Sequence, residues 1–183
     1  MRISKAALMS RWAWSTGLGL GVFAVLFYLD LRLKALAGVG TADIQSFSTA
    51  AQFRAAFWAW SPEPYAVRAG FDLGFDYLLM PLYAASFFYS GIIAAEAFAP
   101  RPGRLRRIIT LAAMVPLAGA LCDAAENTIQ LFMLLNGATD DLAALAFKIS
   151  SAKDVALLVG LVLLAAALAA RFAARRAQAK IAL

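Results

Sequence analysis

The residues most able to do chemistry in this chain are acidic and amide side chains that interrupt long apolar segments. An ionisable group inside a membrane span costs about 2.5–3.5 kcal/mol, so each one needs a physical reason. In the third apolar segment, four acidic and amide side chains recur at i, i+3, i+4 and i+7, a spacing that puts them on one helical face. They are Asp123, Glu126, Asn127 and Gln130. The second and fourth segments add Asp72, Asp76 and Tyr83, and Lys153 and Asp154. The sequence therefore predicts a polar site between apolar helices.

Two kinds of chemistry suit this set. Crowded carboxylates in a poorly hydrated space retain a proton, which a general acid needs. The catalytic candidates are Asp76, Asp123, Glu126, Asp154 and Lys153. Carboxylate and amide oxygens also suit a hard divalent cation such as Mg²⁺ or Ca²⁺, with Asp76, Asp123, Glu126 and Asn127 as candidate ligands. No other cofactor is evident. A bound lipid-like ligand would contact Asp72, Asp76, Tyr83, Asp123, Glu126, Asn127, Gln130 and Lys153.

Composition excludes several function classes. The chain has no histidine and one cysteine, which rules out a Ser–His–Asp or Cys–His pair, a haem or zinc site of ordinary ligand type, and a disulfide framework. Hydrophobic residues make up 63% and charged residues 15%, far from the balance of a soluble domain. The net charge of +6 is concentrated at the ends of apolar segments. This placement favours a lipid bilayer as partner and not a nucleic acid.

Four segments are long and apolar enough to cross a bilayer, which takes about 20 residues. They lie at 12–34, 71–98, 106–135 and 142–170. Short connections favour antiparallel neighbours, so we expect a single all-α membrane domain over 1–183, an antiparallel four-helix bundle. Within the first span, Gly17 and Gly21 predict close helix packing. Counted from the basic helix ends, the intramembrane charges lie about 24–30 Å along their helices, at a common height.

Basic residues predict the orientation. Most Lys and Arg residues fall in three alternating segments: Arg2, Lys5 and Arg11; Arg101, Arg104, Arg106 and Arg107; and Arg171, Arg175, Arg176 and Lys180. The connection 136–141 carries acids and no base. By the positive-inside rule, both termini are cytoplasmic, as in a multi-pass protein of the bacterial inner membrane. Asp30, Arg32 and Lys34, at the end of the first span, argue against its removal as a signal peptide.

The first connection, 35–70, is the extended outer loop. Its polar stripe and aromatic flanks predict an amphipathic helix at 41–60. Two interpretations stay open for that helix. It lies in the outer membrane interface, where tryptophan is favoured, or it forms a lid over the mouth of the bundle, and the two positions are compatible.

Two short elements resemble a family of small uncharacterised bacterial four-span integral membrane proteins. They are 74–83 (Gly-Phe-Asp-Tyr-Leu-Leu-Met-Pro-Leu-Tyr) and the D-x-x-E-N element Asp123-Ala-Ala-Glu126-Asn127. The resemblance covers the second and third spans. No activity is assigned to that family, so the resemblance implies fold and location alone.

Three function classes remain open. The first is a bundle whose outer-facing carboxylates bind a lipid-like molecule or a cation, with or without catalysis. The second is a structural or assembly protein whose charges serve helix packing or partner recognition. The third, an ion- or proton-coupled carrier, is disfavoured because no internal repeat is evident. A cavity with unpaired carboxylates favours the first class, whereas complete pairing without a cavity favours the second. The sequence leaves oligomer formation open.

Overall fold

The protein is all-helical over the residues that the structure describes. This computed structural model describes residues 4–181, with side chains placed as far as Ala173. Arg2 and the side chains of Arg175, Arg176 and Lys180, which support the predicted orientation, lie outside this range. The helices are α1 (Lys5–Ala37), α2 (Thr41–Ile44), α3 (Ala50–Ala59), α4 (Glu63–Phe98), α5 (Arg104–Ala112), α6 (Val115–Asn136) and α7 (Asp140–Ile181). The all-α prediction is confirmed.

Helix length and hydropathy bear on the membrane prediction. Within the described range, three stretches are long and apolar enough to cross a membrane: Glu63–Phe98, Arg104–Asn136 and Asp140–Ala173. They correspond to the second, third and fourth predicted spans. The first predicted span lies within α1, which is 33 residues long and is not among these three.

The third predicted span, 106–135, is divided between two helices. α5 ends at Ala112, and α6 begins at Val115 with Pro116 in its first turn. Proline has no amide hydrogen to donate to the carbonyl four residues earlier, and its ring clashes with that carbonyl. The helix therefore stops before Pro116 and restarts, with the proline where an amide hydrogen has no helical partner anyway. In contrast, α4 continues through Pro81.

α4 is the central helix of the fold. α1, α6 and α7 all pack against it, and α6 and α7 pack against each other. α1 approaches α4 at Gly19, where an added Cβ would lie 3.6 Å from the Cβ of Leu82. Gly17 and Gly21 have no neighbour within 4 Å of such a Cβ. The predicted packing through Gly17 and Gly21 is therefore wrong: Gly19 lies about 200° around the helix from each, so it faces α4 when they face away.

The single amphipathic helix predicted at 41–60 is replaced by two helices, α2 and α3. The break follows from a capping box that starts α3. The Thr49 hydroxyl accepts a hydrogen bond from the Gln52 amide (3.4 Å), and Gln52 Oε1 accepts one from the Thr49 amide (3.1 Å). Such a reciprocal pair marks a helix start, so the chain cannot remain helical through Thr49.

α2 and α3 form a lid, defined here as Thr41–Ala59 with the following Trp60. Their apolar side chains pack on the ends of α1, α4, α6 and α7. Ile44, Phe53 and Trp60 are completely buried, and the Trp60 indole donates to the carbonyl of Val39 (2.9 Å). Trp58, on the other side, is 80% exposed. The buried side of the predicted amphipathic segment thus lies against protein, as the lid interpretation requires.

Polar contacts fasten the lid at both ends. Asp140, at the start of α7, accepts a hydrogen bond from the Ala50 amide at the start of α3 (2.8 Å). At the other end, Lys34 and Asp43 form an exposed ion pair of 2.7 Å. The hydrogen bond from the Lys34 ammonium holds the pKa of the Asp43 carboxyl below its usual range. Exposed pairs add little stability, so the buried aromatic residues are the main attachment.

We expect Gly91→Ala to lower the free energy of unfolding by about 1–3 kcal/mol, the usual cost of overpacking. A Cβ at Gly91 would lie 2.4 Å from the Cβ of Ala113 and 3.1 Å from its Cα, so the α4–α5 contact would have to open. Gly74→Ala is the control in the same helix, because nothing lies within 4 Å of its added Cβ. It should gain about 0.5–1 kcal/mol. Denaturant unfolding in detergent measures both, and equal effects would contradict the packing.

Candidate functional site

The centre of the site is a buried three-residue charge cluster between α6 and α7. The Lys153 ammonium lies 2.7 Å from Glu126 Oε2 and 3.2 Å from Asp123 Oδ1. Their side chains are 3%, 0% and 7% exposed, respectively. A buried charge without a partner is very costly, and here one ammonium is shared by two carboxylates. We call these residues the Lys153 triad.

Neutral side chains complete the bonding of the triad. Gln130 Nε2 donates to Glu126 Oε1 (2.8 Å), and the Tyr83 hydroxyl donates to Asp123 Oδ2 (3.0 Å). Lys153 also donates to Gln45 Oε1 from the lid (3.2 Å). The helical spacing puts both triad carboxylates and Gln130 on the buried face of α6. The triad is therefore held by α4, α6, α7 and the lid together.

A second acidic group lies beside the triad, on α4. Asn127 Nδ2 donates to Asp76 Oδ2 (2.8 Å) and to the carbonyl of Leu73 (3.3 Å). One turn earlier, Asp72 accepts a hydrogen bond from the Thr41 hydroxyl. We call Asp72, Asp76 and Asn127 the α4 acceptor group. It has no lysine or arginine of its own within salt-bridge distance among the described side chains.

The lid covers the acidic residues that the sequence places nearest to water. The position of Asp72 near the outer end of the second span predicts that it lies near the mouth, where water can reach it. Asp72 is only 3% exposed, so this prediction is wrong. The reason is the position of α2: the Thr41 hydroxyl lies within hydrogen-bond distance of both Asp72 and Asp30 and can donate to one of them at a time, and the Ala42 amide donates to Asp30 (2.9 Å). These bonds place α2 over the acidic end of the helices.

The structure separates one predicted site residue from the rest. Asp154, a catalytic candidate, is exposed and lies outside the cavity lining. Its neighbour Lys153 is buried because consecutive residues of a helix point about 100° apart. The other candidates are brought together in the Lys153 triad, in the α4 acceptor group, or beside the triad as Tyr83 and Gln130. Glu126 and Gln130, both predicted to contact a ligand, are completely buried and lie outside the cavity lining, because they bond to Lys153 and to each other. For the metal prediction, the described residues contain no group of three or more His, Cys, Asp or Glu side chains placed to hold an ion.

Two lid residues that the prediction omitted contribute to the site, Thr41 and Gln45. Gln45 belongs to the polar stripe of the outer loop, so a polar contact was foreseeable, but its partner was not. Thr41 does not belong to the periodic polar stripe of the outer loop, so no sequence pattern indicates it. Its contact with Asp72 joins residues 31 positions apart, and only the folded path of the loop creates it.

A cavity of about 510 Å³ connects both polar groups to a long apolar surface. At the lid end, its lining is polar and includes Asp30, Thr41, Gln45, Asp72, Asp76, Asp123, Asn127 and Lys153. Further along, the lining is apolar and includes Gly19, Leu20, Phe23, Phe27, Leu79, Leu157, Leu161 and Leu164. The cavity thus changes from charged to apolar along the helices.

The mouth of this cavity lies between α1 and α7, and we call the space the α1–α7 cleft. Leu20, Phe27 and Leu161 line it and are 64%, 56% and 54% exposed. The opposite end is closed where the Arg171 guanidinium lies 4.7 Å from the Trp12 ring. The cleft therefore opens sideways between α1 and α7, because the lid covers its polar end.

Known proteins provide no template for this cleft. No family model, curated protein or solved structure matches the chain. Its chemistry therefore has to be argued from the geometry. A space that is apolar along most of its length and polar at one end suits an amphiphile, since small-molecule sites combine apolar walls with a few orienting polar groups.

Proposed function

We propose that this chain binds a lipid-like amphiphile in the α1–α7 cleft, with the tail between the helices and the head at the α4 acceptor group. The observation that carries the proposal is the change of polarity within one continuous cavity. A cleft that opens between helices admits a chain directly from the bilayer. Burying that chain contributes about 0.8 kcal/mol for each CH₂ removed from water, but little when it comes from lipid, so the polar end has to supply selectivity.

The proposal includes an antiparallel four-helix membrane bundle in which α1 is the fourth span. The contacts of α1 with α4 support it. Trp12 donates to Ser90 (2.8 Å), and Thr16 bonds to Ser86 (2.7 Å). As the residue number increases along α1, the residue number of the partner in α4 decreases, which is the pattern of antiparallel helices. The side chains of α1 that face away from α4 are apolar and exposed, among them Leu20, Phe23 and Phe27.

We further infer a bacterial inner-membrane location with cytoplasmic termini. The distribution of Lys and Arg supports it, as does the resemblance of 74–83 and 123–127 to small bacterial four-span proteins. In this orientation, the lid and the polar end of the cleft face the outer side of the membrane.

Reporter fusions after residue 183 and within 136–141 should report opposite compartments, with the C-terminal fusion cytoplasmic. The physical reason is the barrier to translocating clustered basic residues. An alkaline phosphatase reporter, active outside, and a fluorescent protein, active inside, measure the two sides. A fusion after Gly40 serves as a control and should match the 136–141 result. One shared compartment for 40, 136–141 and 183 would contradict the four-span bundle.

The structural alternative has support from the Lys153 triad. The two triad carboxylates share one ammonium, and further donors complete the cluster. A shared ion pair of this kind between α6 and α7 is what a helix-packing role requires. We therefore assign the triad to holding α6 and α7 together and the α4 acceptor group to the ligand. Among the catalytic candidates predicted from the sequence, Asp76 lines the cleft without an ammonium partner, so any acid catalysis would use Asp76.

Leu161→Trp is expected to lower copurifying lipid, or the affinity for an added amphiphile, by about tenfold or more, equal to 1.4 kcal/mol. The indole would fill the mouth of the cleft, where Leu161 is half-exposed. Leu158→Trp is the matched control, since Leu158 is on the same helix, is 62% exposed and lies outside the lining. Native mass spectrometry of both variants measures bound lipid. Equal lipid retention would contradict binding in the cleft.

A further inference from the structure

Several buried side-chain oxygens near the polar end of the cleft receive no hydrogen bond. Among the described residues, the buried side-chain atoms without a hydrogen-bond partner are all oxygens. Two of these, on Asp123 and Glu126, lie within salt-bridge distance of Lys153. The remaining ones are Asp72 Oδ1, Asn127 Oδ1 and Gln130 Oε1. Asp72 and Asn127 belong to the lining of the cleft and are 3% and 0% exposed, so their open acceptors are buried at its polar end.

The orientation of the Asn127 amide is fixed by its neighbours. Its nitrogen donates to two acceptors, Asp76 Oδ2 and the carbonyl of Leu73. A flipped amide would place its oxygen against both of these oxygens, which would be repulsive. Asn127 Oδ1 is therefore a genuine open acceptor.

The charged side chains that line the cleft favour the same kind of ligand as these open acceptors do. Asp30, Asp72, Asp76 and Asp123 line the polar end, and Lys153 is the basic residue among the lining residues described. The Lys153 ammonium is already paired with Asp123 and Glu126, so its positive charge is neutralised by the protein and does not attract a ligand anion. A phosphate or carboxylate head placed here would be repelled, whereas a cation that donates hydrogen bonds would fill the vacant interactions.

We propose that the ligand of the α1–α7 cleft is an amphiphile with a protonated primary amine in its head, bound by Asp72, Asp76 and Asn127. This inference rests on the proposed function, because it assigns the head of the same amphiphile. An ammonium group has three donors and no acceptor, and the α4 acceptor group presents carboxylate and amide oxygens from neighbouring turns of α4 and α6. A hydroxyl head would supply a single donor and no charge.

An inorganic cation shares the positive charge of an amine but fits the geometry less well. The described residues contain no group of three or more His, Cys, Asp or Glu side chains placed to hold a metal ion. An inorganic cation also leaves the apolar length of the cleft without an occupant. The amine head joined to an apolar tail accounts for both parts of the cavity.

The test compares dodecylamine, dodecanol and laurate, which share a tail length and differ in the head. Binding to the full chain in non-ionic detergent is measured at neutral pH by native mass spectrometry. We expect dodecylamine to bind at least about tenfold more tightly than dodecanol, with laurate weakest, because hydrogen bonds to charged groups are the strong ones. In Asp72→Asn/Asp76→Asn, the preference for the amine should be lost and dodecanol binding kept. Asp154→Asn removes a single acidic charge outside the cleft and is the control, matched in charge to Asp76→Asn alone.

The outcomes separate the two proposals. Laurate or dodecanol binding as tightly as the amine, with Leu161→Trp still blocking all three, would overturn the amine head and leave the cleft proposal standing. Binding of all three that is unaffected by Leu161→Trp would overturn the cleft proposal itself. Mg²⁺ that displaces dodecylamine, and raises the melting temperature of the ligand-free chain and of Leu161→Trp, would establish an inorganic cation site instead. If the double variant does not fold, Asp76→Asn alone gives the same readout, since Asp76 is only partly buried.

Discussion

Replacement of Lys153 with Met should lower the free energy of unfolding by about 3–5 kcal/mol, the usual cost of removing one partner from a buried ion pair. The substitution leaves Asp123 and Glu126 facing each other with 7% and 0% of their side chains exposed. Their remaining donors, Tyr83 and Gln130, are neutral. The carboxylates would have to take up protons or draw water between α6 and α7. Reversible unfolding in mixed micelles measures the loss.

Two comparisons make this result specific to the triad. Lys148→Met removes the same charge from an exposed position of α7 and should change stability by less than about 0.5 kcal/mol. The triple variant Asp123→Asn/Glu126→Gln/Lys153→Met removes the whole cluster and should recover most of the loss, because replacing an entire buried cluster is often close to neutral. A triple variant that folds normally and still binds dodecylamine would assign the triad to packing. A Lys153→Met variant as stable as Lys148→Met would contradict the buried triad.

Trp60→Ala is expected to destabilise the fold by about 3–5 kcal/mol and to detach the lid. Trp60 is completely buried, in the cluster that includes Leu33 and Leu73, and its indole donates to Val39. Alanine would leave a cavity and an unpaired carbonyl. Loss of the lid would also remove Thr41 from Asp72 and Gln45 from Lys153, so hydrogen exchange of α2 and α3 should rise well before global unfolding.

Trp58→Ala provides a matched control two residues away. The Trp58 side chain is 80% exposed, so its removal takes away the same indole without opening the core. Its effect on lid protection should be small in detergent. Trp60→Phe should keep most of the packing and lose mainly the hydrogen bond, about 0.5–1.5 kcal/mol. Equal protection of the lid amides in Trp58→Ala and Trp60→Ala would show that the lid is not held by Trp60.

The two experiments examine different parts of the same site. Lys153→Met concerns the charges that hold α6 to α7, and Trp60→Ala concerns the cover over the α4 acceptor group. If the lid controls access of water to Asp72, the Trp60 variant should bind dodecylamine more weakly than Trp58→Ala does, because the acceptors would be hydrated before binding. Measuring amine binding in both variants connects the stability of the lid to the proposed ligand.

Local sequence pattern determined the parts of this protein that depend on helix geometry alone. The i, i+3, i+4, i+7 spacing put Asp123, Glu126, Asn127 and Gln130 on one face, and all four are buried. Hydropathy located the three long apolar helices. The break before Pro116 and the start of α3 at Thr49 were also readable from residue chemistry, although the prediction did not use the capping residues. These features follow from covalent geometry and hydrogen bonds between residues close in sequence.

Tertiary structure decided which polar residues meet. The rotation of α7 against α6 selects Lys153 for the triad and leaves its neighbour Asp154 exposed, and no local pattern sets that rotation. The path of the outer loop brings Thr41 to Asp72 and closes the end that the sequence suggested was open. Likewise, the sideways mouth exists because α1 and α7 both pack on α4 and meet at Trp12 and Arg171. The sequence by itself therefore determined the helices and their polar faces. The tertiary structure decided which residues become partners, which acceptors stay open and where the cleft lies. These features depend on contacts between residues far apart in the chain, and the free energy of such contacts cannot be obtained from any single segment.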